Sequence, residues 1–516
     1  MKVASVGDMK TFPREDSGFS TLEIMIALTI LTIVLSGVVV ADFGAQYWTI
    51  TAQTSNEALY KAKMRLEGLK SASKQNFFDA TSSPLAADVD ASCATGGLCY
   101  FVQNLVTDIS SCSKYATAAV SWQVGGYPKT NTSLFTYLTN PAEAVAQGGD
   151  CLLNWPQGTW THPDTLYAKT LRGNPTSVDV FGGVAYMTMS QSPYLAVRQA
   201  NDVDGPNLFQ NSFQSAIAFN GLDVVRDLAT GRTYAYLAAA DAVTQLHVVD
   251  VTDSNNPLLV ARSALLGVTT TSGAPNGWRV RYYGQKVYLT TLFNVAPGGE
   301  QPELHVFDVS RPTAPFEVGR ETLSTSVYDI AVRDQVLPVD GKTHRLAYLA
   351  TTNQAGELRV LDVTDPKNIS TLATCDLPGN YPARAVYLLG NVLYVGRDNV
   401  PSGGADLYSF DAQNPSATSF CTPTGQVDIN TSDGYSRKVL SIRASGPLLF
   451  VATTNTTGAH GTVQIRPTDP ITNFSPVVGT VDVPGLVAGG IDLDGNYLYT
   501  ASQGSAQQLQ VIESPN

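Results

Sequence analysis

The chain has 516 residues, of which 15% are charged and 43% hydrophobic, and its formal net charge is −12. That length is enough for two or three domains. The acidic balance and the lack of any Lys/Arg cluster exclude a nucleic-acid partner, whose phosphates need clustered cations. The 43 glycines fit a chain of many short strands and tight turns.

Residues 1–18 carry Lys2, Lys10 and Arg14, and residues 24–41 (IMIALTILTIVLSGVVVA) hold no formal charge. The apolar run continues without proline to about Lys74, so one helix is expected over 19–75. Its length suits a bilayer core. Basic residues before the run and none from residue 19 to Lys61 put the leader in the cytoplasm and the rest outside. Beyond the apolar run, Leu59, Ala62, Leu66 and Leu69 recur at helical spacing, a stripe expected to pack on the protein's own next domain. Glu23 sits inside the apolar segment, where a carboxylate costs several kcal/mol unless a cation neutralises it. No Lys or Arg lies within helical reach on the apolar side. The amine made by cutting before Phe19 supplies one if it comes from an adjacent subunit.

The run Gly18-Phe19-Ser20-Thr21-Leu22-Glu23 opening IMIALTIL resembles the type IV pilin and pseudopilin family. The resemblance implies cleavage after Gly18 by a prepilin peptidase, N-methylation of Phe19, and assembly with other pilin subunits through the helix and Glu23. This sequence departs from the family's pattern in two places: Glu15 and Asp16 near the cut, and Val40 where many members have proline. The resemblance also implies a small pilin-like α+β domain over 76–160, with strands from LCYFVQNLV and AAVSWQVGG. Pro156, Gly158 and Pro163 mark a linker after it.

The six cysteines, Cys93, Cys99, Cys112, Cys151, Cys375 and Cys421, match no zinc spacing. An even count in an exported chain favours disulfides, most simply two among Cys93, Cys99, Cys112 and Cys151, with the pairing open.

From residue 166 onward the chain repeats. LHVVDVTDSNNP (246–257), LHVFDVSRPTAP (304–315), LRVLDVTDPKNI (358–369) and LYSFDAQNPSAT (407–418) align, with weaker copies at 194–202, 462–470 and 509–516. With Arg198, Asp250, Asp308, Asp362, Asp411, Arg466 and Glu513 as one position, the spacings are 52, 58, 54, 49, 55 and 47 residues. A second piece recurs upstream of each copy, as in RTYAYLAAA, YYGQKVYLTT and LLGNVLYVGR. A period near fifty with alternating strands is that of a four-stranded propeller blade. The expected architecture is therefore multidomain: the long helix with its small domain, then an all-β seven-bladed β-propeller over 161–516. The repeats resemble the LVIVD family, whose presence implies a fold more than an activity. The final copy ends one strand short, and a spare strand at 166–172 is expected to complete it.

The repeated aspartates are read as caps of their own turns. His247 and His305 are read as outward surface or inter-blade residues. The segments NDVDGPN (201–207) and DLDGN (492–496) resemble calcium loops without the full ligand spacing, and hairpin turns account for both. No cofactor is expected, and no G-x-S-x-G, H-E-x-x-H or P-loop motif supports an enzyme. The expected role is a minor or specialised pilin-like subunit whose propeller binds a protein or glycan outside the cell. The alternatives are a pseudopilin of a secretion system and a surface enzyme delivered on a pilin anchor.

Overall fold

A computed structural model of the chain describes residues 21–87, 98–123, 129–149, 151, 155–171, 173–191, 194–199, 211–213, 215–268, 275–293, 295–296, 299–401, 403–429, 437–455, 460–469, 474–504 and 507–514. The fold is one long N-terminal helix followed by a large all-β body. Two compact units are formed. One comprises Met1–Arg65, Leu85–Gln103 and Ala118–Leu134; the other comprises Leu66–Pro84, Asn104–Thr117 and Phe135–Asn516.

Helix α1 (Thr21–Gln75) has 55 residues and is about 83 Å long at ~1.5 Å per residue. Glu23 in its first turn and Lys74 in its last oppose the ends of the macrodipole. The buried stripe is Ala58, Ala62, Leu66 and Leu69. Leu59, expected in that stripe, is 43% exposed instead, because steps of four from Ala58 pass beside it. Four strands, β1 (Ser83–Ala87), β2 (Tyr100–Ser110), β3 (Ser113–Trp122) and β4 (Thr130–Thr139), form a sheet in that order. Strand β3 alternates buried and half-buried residues almost throughout, the period-two signature of one covered face.

In the first unit, the Tyr100 hydroxyl donates to Glu57 at 3.0 Å, and its ring lies 5.2 Å from Lys61 Nζ and 6.0 Å from Trp122. In the second, the nearly buried Lys114 pairs with Asp108 at 3.1 Å and donates to Ala80 O at 2.9 Å. Helix α2 (Pro141–Ala146) starts on Asn140, whose side chain accepts from the Glu143 N–H.

The rest of the second unit is a succession of antiparallel strand sets within residues 175–213, 219–263, 277–321, 327–375, 383–427, 437–484 and 486–513. The fifth and sixth sets are joined into one eight-stranded sheet through Asp398↔Lys438 and Val400↔Arg437. The seventh has three strands of its own and takes its fourth from β5 (Asp164–Lys169). Val511 pairs with Tyr167, and Leu509 with Lys169. The spare strand expected at 166–172 therefore does occupy the outer edge of the last set, two residues earlier than expected.

Among the described residues, seven apolar clusters each join two neighbouring sets. One links the first set to the second through Tyr186, Val197, Leu222 and Leu237. The circuit closes where Met187 and Ala196 of the first set pack with Tyr499 and Val511 of the last. Every second strand places one aromatic ring at the same height: Tyr186, Tyr236, Tyr288, Tyr348, Tyr394, Phe450 and Tyr499, each at most 3% exposed. The registers also correct the repeat alignment. The position of Asp250 is held by Gln199 in the first set and Pro467 in the sixth, not by Arg198 and Arg466. A one-residue slip exchanges the two faces of a strand, and the buried leucine and valine anchors fix the phase.

Candidate functional site

Gly18 and Phe19 lie outside the described residues. Glu23 is exposed in the first turn of α1. An 18-residue window of α1 has a mean hydropathy of 2.7 and none of it is buried, so the helix is long and apolar enough to cross a membrane. Its hydroxyls are satisfied internally: Thr29, Thr32 and Ser36 each donate to the carbonyl four residues earlier at 2.7 Å. Such back-bonding suits a helix surface without water.

Cys112 is bonded to Cys151, and Cys375 to Cys421. Cys99 is also disulfide-bonded, and Cys93 lies outside the described residues. The Cys375–Cys421 bridge was not expected; it ties the outer strand of the fourth set to a loop of the fifth. Bonded cysteines fit an oxidising, extracytoplasmic setting.

The repeated aspartates act on their own turns. Asp250, Asp308, Asp362 and Asp411 each accept the backbone N–H two residues on, at 2.9–3.0 Å. Three of them also bind a cation from the adjacent strand: Arg232, Lys286 and His344. Against the opposing effect of burial, the hydroxyls of Thr252, Ser310 and Thr364, the turn N–H groups and these cations hold Asp250, Asp308 and Asp362 below the ordinary carboxylate range. DLDGN is the hairpin turn of the seventh set, and NDVDGPN lies outside the described residues. Among the described residues no group of three or more His, Cys, Asp or Glu is placed to hold a metal.

His247 and His305 are fully buried, which rules out the surface placement and leaves the one between neighbouring strand sets. His305 bonds to Glu317 and to Pro302 O. Thr244 donates its hydroxyl to Asp241, so His247 Nε2–H donates to Thr244 and Nδ1 carries no proton. Burial, reinforced by Arg262, lowers the His247 pKa to about 4.

A second repeated device escaped the sequence reading. In the second to fifth sets the residue just before the leucine of the third strand is buried and polar: Gln245, Glu303, Glu357 and Asp406. Each accepts a backbone N–H beyond the fourth strand, from Leu265, Leu323, Leu377 and Ile429 respectively. Gln508 does the same for Leu171 after β5. Burial, together with Asp428, raises Asp406 to about 7.

The first strands of the sets surround a cavity of about 130 Å³ lined by Ser177, Asp179, Asp223, Arg279, Arg281, Asp329, Arg333, Arg443 and Asp492 among others. Carboxylates there tie neighbouring sets together. Asp492 accepts from Val180 N, Asp179 from Val224 N, Asp223 from Tyr282 N and Asp329 from Val386 N. Arg443 pairs with Asp492 at 2.9 Å, and Arg281 lies 3.6 Å from Asp223. One end is lined by Phe78, Ser110, Ser111, Glu143 and Gln147. They are held there by Asn391 Nδ2 to Phe78 O, Ser445 Oγ to Ile109 O, and the Tyr283 hydroxyl to Glu143.

No protein-family model matches the chain, and no curated protein does. Solved structures are similar to it at low identity. Polycomb Repressive Complex 2 of Chaetomium thermophilum bound to GSK126 is 8% identical, over 69% of this chain and 99% of that one, with a TM-score of 0.44. Dihydro-heme d1 dehydrogenase NirN in complex with DHE is 11% identical over 74% and 66%, with a TM-score of 0.34. The Pseudomonas aeruginosa PilY1 C-terminal domain is 12% identical over 65% and 91%, with a TM-score of 0.33.

Proposed function

We propose that the chain is a minor or specialised type IV pilin-like filament subunit, anchored by α1, that displays a seven-bladed β-propeller at the cell surface as a binding module. The observation that carries this reading is the first half of α1. It is apolar on every side and exposed, which calls for lipid or other helices around it, with one acid in its first turn. A prepilin peptidase would cut at Gly18, and the amine of a neighbouring subunit's Phe19 would neutralise Glu23. The propeller reading is supported by the strand sets, the circuit of apolar clusters and closure by β5. A large ring on each subunit crowds a filament, which favours a minor over a major component. The ligand of the ring is a protein or glycan, and binding rather than catalysis is the proposed role.

Mass spectrometry of the mature protein tests this reading: an N-terminal methyl-Phe19 is expected. Glu23→Ala is expected to be cleaved normally yet excluded from filaments. A mature N-terminus beyond the apolar run, or normal incorporation of the variant, overturns it.

A further inference from the structure

Each first strand departs from regular pairing at the same place, just before its cavity-lining segment. The residues set out of register are Thr176, Asn220, Trp278, Tyr328, Arg384 and Leu440, and the seventh set is irregular between Leu486 and Gly490. A bulge leaves its extra residue unpaired and re-aims its side chain. In the first two sets that side chain ties to the next set: Thr176 donates to Phe219 O and Asn220 to Gly277 O. The next three stack on one another instead. The Trp278 and Tyr328 rings lie edge-to-face with centroids 6.0 Å apart, and the Arg384 guanidinium lies 3.8 Å from the Tyr328 centroid. Asp398, almost fully buried, holds Arg384 in place at 2.6 Å.

Trp278 and Tyr328 are half-buried, and among the described residues neither the indole N–H nor the phenol hydroxyl has a hydrogen-bond partner. Both rings therefore offer an apolar face and an unspent polar tip, the combination that makes Trp and Tyr good ligand contacts. One residue further along the strand is Arg279. No carboxylate lies within ion-pair distance of it among the described residues, and its guanidinium donates to Ser177 Oγ at 3.5 Å. Its surroundings withdraw water, Asp329 partly offsets that, and Arg443 and Arg384 add repulsion. Space exists beside it because five of the six equivalent positions are small, Ser177, Gly221, Ala385, Ser441 and Gly490; the sixth is Asp329. At Gly221 a Cβ would stand 2.7 Å from Trp278 O.

The geometry points to a binding site for an acidic saccharide: one six-membered sugar ring on the Trp278–Tyr328 wall, its carboxylate on the Arg279 guanidinium. A guanidinium fork matches a carboxylate in two parallel bonds. Arg279 lines the cavity of about 130 Å³, and Trp278 precedes it on the same strand. Phe78, Ser110 and Glu143 also line the cavity. This site deepens the display reading and rests on it. Its test is independent of Phe19 and Glu23, so either can fail alone.

The full chain in detergent would be titrated with trigalacturonate, with the methyl-esterified trimer, and with a short polyglutamate. Tryptophan fluorescence and calorimetry are the readouts. Trigalacturonate is expected to bind, and esterification or Arg279→Met is expected to weaken binding by about tenfold or more. Trp278→Ala is expected to do likewise. Tyr328→Phe, which removes only a hydroxyl and keeps the stacked ring, is expected to weaken binding with an unchanged melting temperature. Lack of binding, equal binding of the ester, binding indifferent to all three substitutions, or a preference for polyglutamate would each overturn the assignment.

Discussion

The Tyr283 hydroxyl donates to Glu143 at 2.6 Å and accepts from the Asp334 N–H at 2.8 Å, joining α2 to two neighbouring strand sets through one oxygen. Glu143 is 5% exposed, and burial raises its pKa. Tyr283→Phe keeps the ring beneath Arg345 but strips a donor from a buried carboxylate. Urea melts are expected to show a loss of about 1–3 kcal/mol. Adding Glu143→Gln, which removes the buried charge, is expected to recover part of it. An unchanged melt for the single variant would mean that water replaces the bond.

The pairing of β5 with the last strand set predicts how the second unit tolerates truncation. Trp160, just before β5, is fully buried against Phe450 with centroids 5.0 Å apart, and its N–H donates to Ser514. A polypeptide starting at Trp155 is expected to be the most stable. One starting at Thr161 loses the indole, at about 3–5 kcal/mol. One starting at Pro175 exposes the edge of the last set and is expected to aggregate. Identical melting temperatures and monomeric behaviour for all three would show that β5 does not close the ring.

The Cys375–Cys421 bridge spans 46 residues, a loop for which the chain-entropy account gives about 4 kcal/mol. Replacing both cysteines by serine is expected to lower the melting temperature under oxidising conditions, and to leave it equal to that of wild type when both proteins are reduced. A pair of serines that melts like the oxidised protein would show that native strain cancels the constraint.

Asp406 makes stability depend on pH in a definite direction. Its pKa is about 7 in the fold and near 3.8 when unfolded. Between those values the folded state holds the extra proton, so this contribution is fully present below about 3.8 and is lost as pH rises through 7. Asp406→Asn keeps an acceptor for Ile429, and the equivalent positions Gln245 and Gln508 already carry amides. The variant is expected to be more stable than wild type at pH 8, with the difference shrinking toward pH 5. Parallel profiles of melting temperature against pH would sink this account.

The third strands were legible because alternation and a terminal aspartate mark them together, and β5 was legible by counting strands. The two weak copies were read one residue out of phase, since Arg198 and Arg466 looked like the polar end of the motif. Only the buried anchors Leu195 and Val463 set the phase. The acceptors Gln245, Glu303, Glu357 and Asp406 were visible beside the motif but were passed over because the motif was counted from leucine. The bulged residues had no signal at all. Thr176, Asn220, Trp278, Tyr328, Arg384 and Leu440 share a backbone position and no chemistry, so only strand register reveals them.

Closure by β5 also sets an order of events. The Leu171 N–H reaches Gln508, 337 residues further along the chain. A strand made early must wait, unpaired, for almost the last strand to be made. Every intermediate set can pack on its predecessor, but the ring stays an open arc until the C-terminal strand arrives. Such distant pairing is slow, and an open arc has two adhesive edges. The unjoined state therefore persists until synthesis is nearly complete, and an early stop would leave a protein permanently unlocked.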